Sequence, residues 1–308
     1  EVIIFPSWDC LPYSNISPRK EIISRRYSAL RALKREDKKL KIVLLSLDSI
    51  LQKIIPVKEI FSNNFFLITG QDVDLSSLVE WLEKMGYSRQ ANVYSVGEYA
   101  VRGGILDIYV PEMKFPVRLD FFGTKLEKIR TFDPSSQRSN GSIKDLNIFP
   151  VSEIILEERS INLFRQNYRR IIGTVQMSDR VYNSISEKML VEGIEHWLPL
   201  FYPKLEPIFS ALSGVSLSYD HDLDFMIEKK WEQIIESRSF DLKADRNNKN
   251  KLCLLNPMFH YLSPSEFAEA IYFYRVKKID QIFTKKLETI CTSTKDFSVE
   301  RNKEDVSL

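Results

Sequence analysis

GEYAVRGGILDIYVPEMKFPVRLDFFGTKLEKIRTFDPSSQRS, residues 97–139, is the stretch from which the rest of the chain can be read. Gly103 and Gly104 allow a backbone turn that bulkier residues resist. ILDIYV (105–110) is a β-branched run closed by Pro111 and Pro116. VRLDFF (117–122) follows, then a glycine-containing turn at 123–125, then LEKIRTF (126–132). A return this short suits only antiparallel neighbours, so the stretch predicts a compact antiparallel sheet.

Side chains alternate between the two faces of a strand. Val117, Leu119 and Phe121 therefore share a core face, and Arg118, Asp120 and Phe122 share the other. Two charges make that second face wet, yet it also holds a phenylalanine. Single exposed phenylalanines are ordinary, so one reading is a solvated sheet face. The other takes the combination of an aromatic, an Arg on the same face and Arg102 in the adjoining turn. That combination is the composition of a protein-interface anchor.

The 308 residues suffice for two or three domains with real cores, and 44% apolar and 28% charged residues are globular values. A formal net charge of +2, with Lys and Arg scattered among Asp and Glu, makes no case for nucleic acid by itself. No apolar run approaches the ~20 residues of a membrane helix, and no signal-peptide pattern opens the chain. Cys10, Cys253 and Cys291 lie far apart with no C-x-x-C. They read as reduced thiols of a cytoplasmic protein. Residue 1 is Glu, and EVIIF looks like a strand entered midway, so the expectation is a fragment of a longer chain.

Residues 1–64 read as α/β. VIIF (2–5) is a short buried strand, and Ser17-Pro18 supplies an N-cap and a first-turn Pro for a helix. That helix carries Ile23, Tyr27, Leu30 and Leu33 on one face. KIVLLSL (41–47) is an apolar strand of the kind buried in parallel sheets, and a short helix around 49–55 stops before Pro56. Asp48 superficially suggests a magnesium-holding carboxylate, but an Asp after a strand is a common helix cap. No G-x-x-x-x-G-K-[ST] loop occurs to cradle a phosphate, so no nucleotide site is predicted.

Residues 65–152 contain the opening stretch. FFLIT (65–69) is a strand, and Asp74 or Ser76 caps a helix with the stripe Leu75, Leu78, Val79, Leu82 and Met85, closed by Gly86. LNIFPV (146–151) is a final strand returning the chain to the first unit. Residues 153–294 read as mixed and mostly helical. Helices run from Ser160 to Gly173 and over 179–190, and VSLSY (215–219) is a strand. A helix with Leu223, Ile227, Trp231 and Ile234 follows. The capping box Ser263-Pro264-Ser265-Glu266 opens a long helix through Phe273 to about residue 290. Residues 295–308 are a polar linker or tail. His196, His221 and His260 have no partner at metal spacing and no Ser-His-Asp or Cys-His arrangement. His196, beside Trp197, reads as structural. No catalytic and no metal residue is predicted.

The central stretch resembles the second domain of UvrB and, more closely, its counterpart in the bacterial transcription-repair coupling factor (Mfd) family. The residues carrying the likeness are Gly97-Glu98-Tyr99, Arg102-Gly103, Leu106-Asp107, Arg118, Asp120-Phe121-Phe122, Ile129-Arg130, Phe132-Asp133 and Gln137-Arg138. SWDCLPYSNISPRKEIISRRYSAL (7–30) and GIEHWLPLFY (193–202) fit the coupling factors better than UvrB, whose tyrosine-rich hairpin is not found. The likeness covers roughly residues 1–210.

It implies a UvrB-like α/β module. Residues 1–64 and 153–294 would form a degenerate RecA-like domain, and 65–152 a smaller inserted domain that binds UvrA. It further implies that Arg102, Arg118 and Phe122 make the UvrA contact, mimicking the surface UvrB uses to bring excision repair to a stalled RNA polymerase. In the full-length family a distant domain covers that surface until polymerase and double-stranded DNA are engaged. ATP and Mg serve a motor whose motifs would lie after residue 308, so this chain is expected to be non-catalytic and without a cofactor. The alternative is a fragment of a UvrB-type ATP-driven DNA remodeller that binds nucleotide or DNA itself. A general DNA-binding module needs a basic face with aromatic stacking.

Overall fold

The computed structural model describes residues 1–35, 40–175, 179–212, 214–220, 222–244, 255–272 and 274–279. The first half runs β1 (Val2–Phe5), α1 (Lys20–Lys34), β2 (Ile42–Leu45), α2 (Leu47–Leu51), β3 (Phe65–Ile68) and α3 (Leu75–Lys84). Then come β4 (Ser88–Arg89), β5 (Glu98–Arg102), β6 (Ile105–Ile108), β7 (Val117–Phe122), β8 (Lys125–Phe132), β9 (Ser139–Ile143) and β10 (Asp145–Ile148). The remainder is α4 (Glu158–Ile172), α5 (Arg180–Ser186), α6 (Leu198–Phe201), β11 (Ser216–Asp220), α7 (Leu223–Ala244), α8 (Pro264–Ile271) and β12 (Arg275–Ile279). The chain is thus mixed α/β with an antiparallel sheet, as the alternation predicted.

That sheet has six strands in the order β4-β5-β6-β7-β8-β9, antiparallel except for the short β4–β5 pair. The turn between β5 and β6 needs its glycines. Gly103 has φ +59°, and a Cβ on Gly104 would stand 2.6 Å from the Phe121 carbonyl oxygen. Leu106, Val117, Leu119 and Ile129 point to one side of the sheet. There they meet Leu78 and Leu82 of α3, together with Leu67, Leu146 and Ile148 from the β3–β10 pair. Each of these aliphatic side chains contributes about 1.5–3 kcal/mol on burial, so the alternation of β7 fixes which face turns inward. Asp74 caps α3 through its carboxylate, and Gly86, at φ +91°, follows the helix end.

A second and larger core joins the chain before this sheet to the chain after it. Ile23, Tyr27 and Leu30 of α1 pack with Leu51, with Phe164 and Tyr168 of α4, and with Trp197, Phe201 and Phe267. Four expectations are corrected here. Ser17 does not cap α1, whose N-cap is Arg19 without a side-chain bond; the Ser17 hydroxyl instead donates to Glu195 at 2.6 Å and accepts from the Gly193 N–H. The β1–β2 pair is parallel but buried on one side only, since Val2, Ile4, Ile42 and Leu44 are exposed. Asp48 does not cap a helix: Ser46 caps α2 in a reciprocal box with Ser49, and Asp48 pairs with Lys230 at 2.5 Å. The helix expected from Ser263 to about residue 290 ends at Ile271, because the chain then pairs as β12 alongside β11, and a ladder of tertiary hydrogen bonds overrides local helix preference. The rest of that expected helix, together with His221, Cys253 and Cys291, lies outside the described residues.

The two cores meet where the chain leaves β10. Glu153 is buried there and accepts from Trp8 Nε1 at 2.8 Å and from Arg26 Nε at 3.0 Å. Arg26, fully buried, gives its Nη1 to the Pro6 carbonyl and to Gln52 Oε1, each at 2.9 Å, and lies 4.6 Å over the Phe5 ring. Tyr27 and Tyr202 donate to the backbone carbonyls of Ser152 and Glu153. Removing one member of a buried ion pair leaves the other charge uncompensated. We therefore expect Glu153→Ala to lower the unfolding free energy by about 3–5 kcal/mol in urea melts, well beyond a typical core truncation at the periphery.

Candidate protein-interaction face

Strand register builds the outer face of the six-stranded sheet row by row. Ala100, Asp107, Arg118 and Arg130 stand opposite one another across β5 to β8, and Arg102, Ile105, Asp120 and Lys128 form the next row. Phe122 continues the same side of β7 and pairs with Lys125. Residues opposed across strands share a face, so in these rows five cations (Arg102, Arg118, Lys125, Lys128 and Arg130) stand with two carboxylates (Asp107 and Asp120), and Glu98 of β5 adds a third on the same side.

The sequence-predicted residues Arg102, Arg118 and Phe122 all lie on this face, but not in equal exposure. Phe122 is 78% exposed and stands clear of the core beneath. The Arg102 side chain is half exposed; its Nη2 donates to the Ala91 carbonyl at 2.5 Å and to Asn92 Oδ1. Arg118 is largely enclosed, with 16% of its side chain accessible. Its Nε and Nη2 donate to the two oxygens of Asp107 at 2.6 and 2.8 Å, and its Nη1 reaches the Gln137 carbonyl at 3.4 Å. The guanidinium lies 4.7 Å over Phe132, which is buried with Val93 and Ala100 in a small apolar cluster of its own. Hydrogen bonding to Asp107 holds the Arg118 guanidinium above its ordinary pKa. A second two-pronged pair joins Arg130 to Asp120, both bonds at 2.8 Å.

Three contributors escaped the sequence reading: Asp107, the Asp120–Arg130 pair and Ile105. Ile105 is 37% exposed, on the outer face between Arg102 and Asp120. The signal was present in the run ILDI. Leu106 and Ile108 face the core, so Ile105 and Asp107 face outward, and an acidic residue at a strand centre calls for a cross-strand cation.

His196 and His260 are buried side by side. The fold brings His196 and His260 together, with ring centroids 6.4 Å apart, among Trp8, Tyr13 and Tyr261. Burial depresses both, His196 to about 4 and His260 to about 3, so both are neutral near pH 7. Burial also raises Glu195, bonded to Ser17, to about 7. Among the described residues no group of three or more His, Cys, Asp or Glu is arranged to hold a metal, and no helix is long and apolar enough to cross a membrane.

Residues 65–154 match the family model described as the UvrB interaction domain. The chain is also similar to several proteins named transcription-repair-coupling factor. It is 33% identical to that of Haemophilus influenzae over 80% of this chain and 21% of the relative. It is 32% identical to that of Escherichia coli over 70% and 19%, and 30% identical to that of Rickettsia bellii over 91% and 24%. The chain thus spans about a fifth to a quarter of the length of these relatives.

Two outcomes follow from the geometry. Phe122→Ala removes a side chain that the fold does not bury, so the unfolding free energy should stay within about 0.5 kcal/mol of wild type in a denaturant titration. Stability should also depend on pH in a defined way. The two depressed histidines contribute stability that is complete above 6.5 and lost as pH falls toward 4 and 3. The raised Glu195 opposes this, its contribution being complete below 4.5 and lost as pH rises toward 7. Between 4.5 and 6.5, two histidines against one glutamate leave a net of one proton, so acidification costs up to about 1.4 kcal/mol per pH unit. Urea melts at a series of pH values should give that slope, and Glu195→Gln should steepen it.

Proposed function

The chain is homologous to the transcription-repair-coupling factors over most of its length, and from that premise we propose that the outer face of its six-stranded sheet docks UvrA. The observation that carries the proposal is Phe122, held 78% exposed on a strand whose opposite face is packed, with Arg102 on the same side. An exposed aromatic with an accessible arginine on the same face is the composition of an interface anchor, and keeping it unburied in the free chain has no folding benefit.

In this account residues 65–152 are the docking unit. Residues 1–64 with 153–294 are a degenerate RecA-like support that holds no nucleotide. Bringing UvrA to a stalled RNA polymerase on double-stranded DNA, and the ATP-driven motor that accompanies this, fall in this account outside the residues of this chain. The accessible cations Arg102, Lys125 and Lys128 speed encounter with an acidic partner surface, and the aromatic supplies most of the affinity.

Isothermal titration of the chain into UvrA tests the proposal. Phe122→Ala and Arg102→Ala should each raise Kd about 30-fold, the consequence of losing roughly 2 kcal/mol at an anchor. Wild-type affinity in the double variant, or no binding by the wild-type chain, would contradict it.

A further inference from the structure

We propose that Asp107 is the positioning residue of this face. Its buried carboxylate sets the orientation of Arg118 and the spacing of Arg118 from Arg102, and so shapes the cationic platform that the partner meets. The inference rests on the docking proposal above and adds to it a residue that itself touches no partner.

Asp107 is 2% exposed, at the centre of β6, and no docked protein reaches it without moving the arginines first. Both of its oxygens are used by Arg118, at 2.6 and 2.8 Å. A two-pronged carboxylate–guanidinium contact fixes the plane of the guanidinium as well as its position. Phe132 below and the Gln137 carbonyl at the side complete the cradle, leaving only an outer edge of Arg118 toward solvent. Arg102 comes to the same carboxylate from β5, its Nη1 3.9 Å from Oδ2. Two guanidinium groups this close repel each other, and a carboxylate between them in a poorly solvated place offsets that repulsion. Without the charge at 107, Arg118 keeps only the Phe132 ring and the long Gln137 contact, and the repulsion between the two arginines is no longer offset.

Asp120 does not do the same work. It is more exposed than Asp107 and its two oxygens are taken by Arg130. Among the described residues, Asp107 is the carboxylate that pairs with both Arg102 and Arg118. The platform therefore presents two donors at a fixed separation, a geometry suited to a carboxylate on the facing surface.

The test is a double-mutant cycle in UvrA titrations of the whole chain. Asp107→Asn keeps the shape and removes the charge; Asp107→Glu keeps the charge and displaces it by one methylene, providing a second variant if the first folds poorly. Circular dichroism melts establish that each variant is folded at the titration temperature. We expect either substitution to weaken binding about tenfold, as for loss of a coupled charge pair, and to weaken it no further when Arg118→Ala is already present. A purely structural role would lower the melting temperature and leave the affinity of the folded protein unchanged. Wild-type affinity in both variants, or losses that multiply with that of Arg118→Ala, would overturn the inference while leaving docking intact. Failure of the wild-type chain to bind UvrA would remove both.

Discussion

One buried carboxylate, that of Glu153, holds the molecule in register. It takes the indole N–H of Trp8 from the first loop and the guanidinium of Arg26 from α1, at the point where the chain has just left the sheet-bearing segment. A charge enclosed to this degree is tolerated only where its partners are fixed, so the loop, the helix and the return of the chain are specified together. Neighbouring contacts run along the same seam. The Val151 N–H meets the Met85 carbonyl, and Ser28 and Arg31 of α1 reach Glu112 in the connection between β6 and β7. The sheet and the helical core are therefore joined by polar contacts of defined direction as well as by apolar area.

The outer face of the sheet follows similar electrostatic logic with the opposite outcome. Its charges are paired within the protein where they are enclosed, at Asp107–Arg118, and left accessible where they are not, at Arg102 and Lys128. Paired strand charges add little to net stability but limit the number of conformations that the surface can adopt. A face ordered in advance loses less entropy on association, and that favours a docking role over a merely solvated one. Phe122 sits at the end of this ordered patch.

How much of this was legible in the sequence depended on the range of the interaction concerned. The strands of the sheet were readable because the two-residue period of VRLDFF and ILDI is local, and the short glycine turns force antiparallel neighbours. The cap and length of α3 were readable for the same reason. Ser17 was misread because the sequence shows a Ser-Pro helix start but cannot show Glu195 arriving to take the hydroxyl. The helix beyond Ile271 was misread because β11, more than fifty residues earlier, supplies the strand partner. At the candidate interaction face, the choice of Arg102, Arg118 and Phe122 came from alternation together with family resemblance. Asp107 required the register between β6 and β7, and register is a property of the folded sheet.

Position-specific photocrosslinking tests the central claim most directly. A photoreactive phenylalanine analogue is placed at Phe122 in one protein and at Phe66 in another. Phe66 is an exposed aromatic of the β3–β10 pair, outside the six-stranded sheet. Irradiation with UvrA should yield a crosslinked species from position 122 and none from position 66. Crosslinking from 66 with none from 122 would contradict the claim and place UvrA on a different surface.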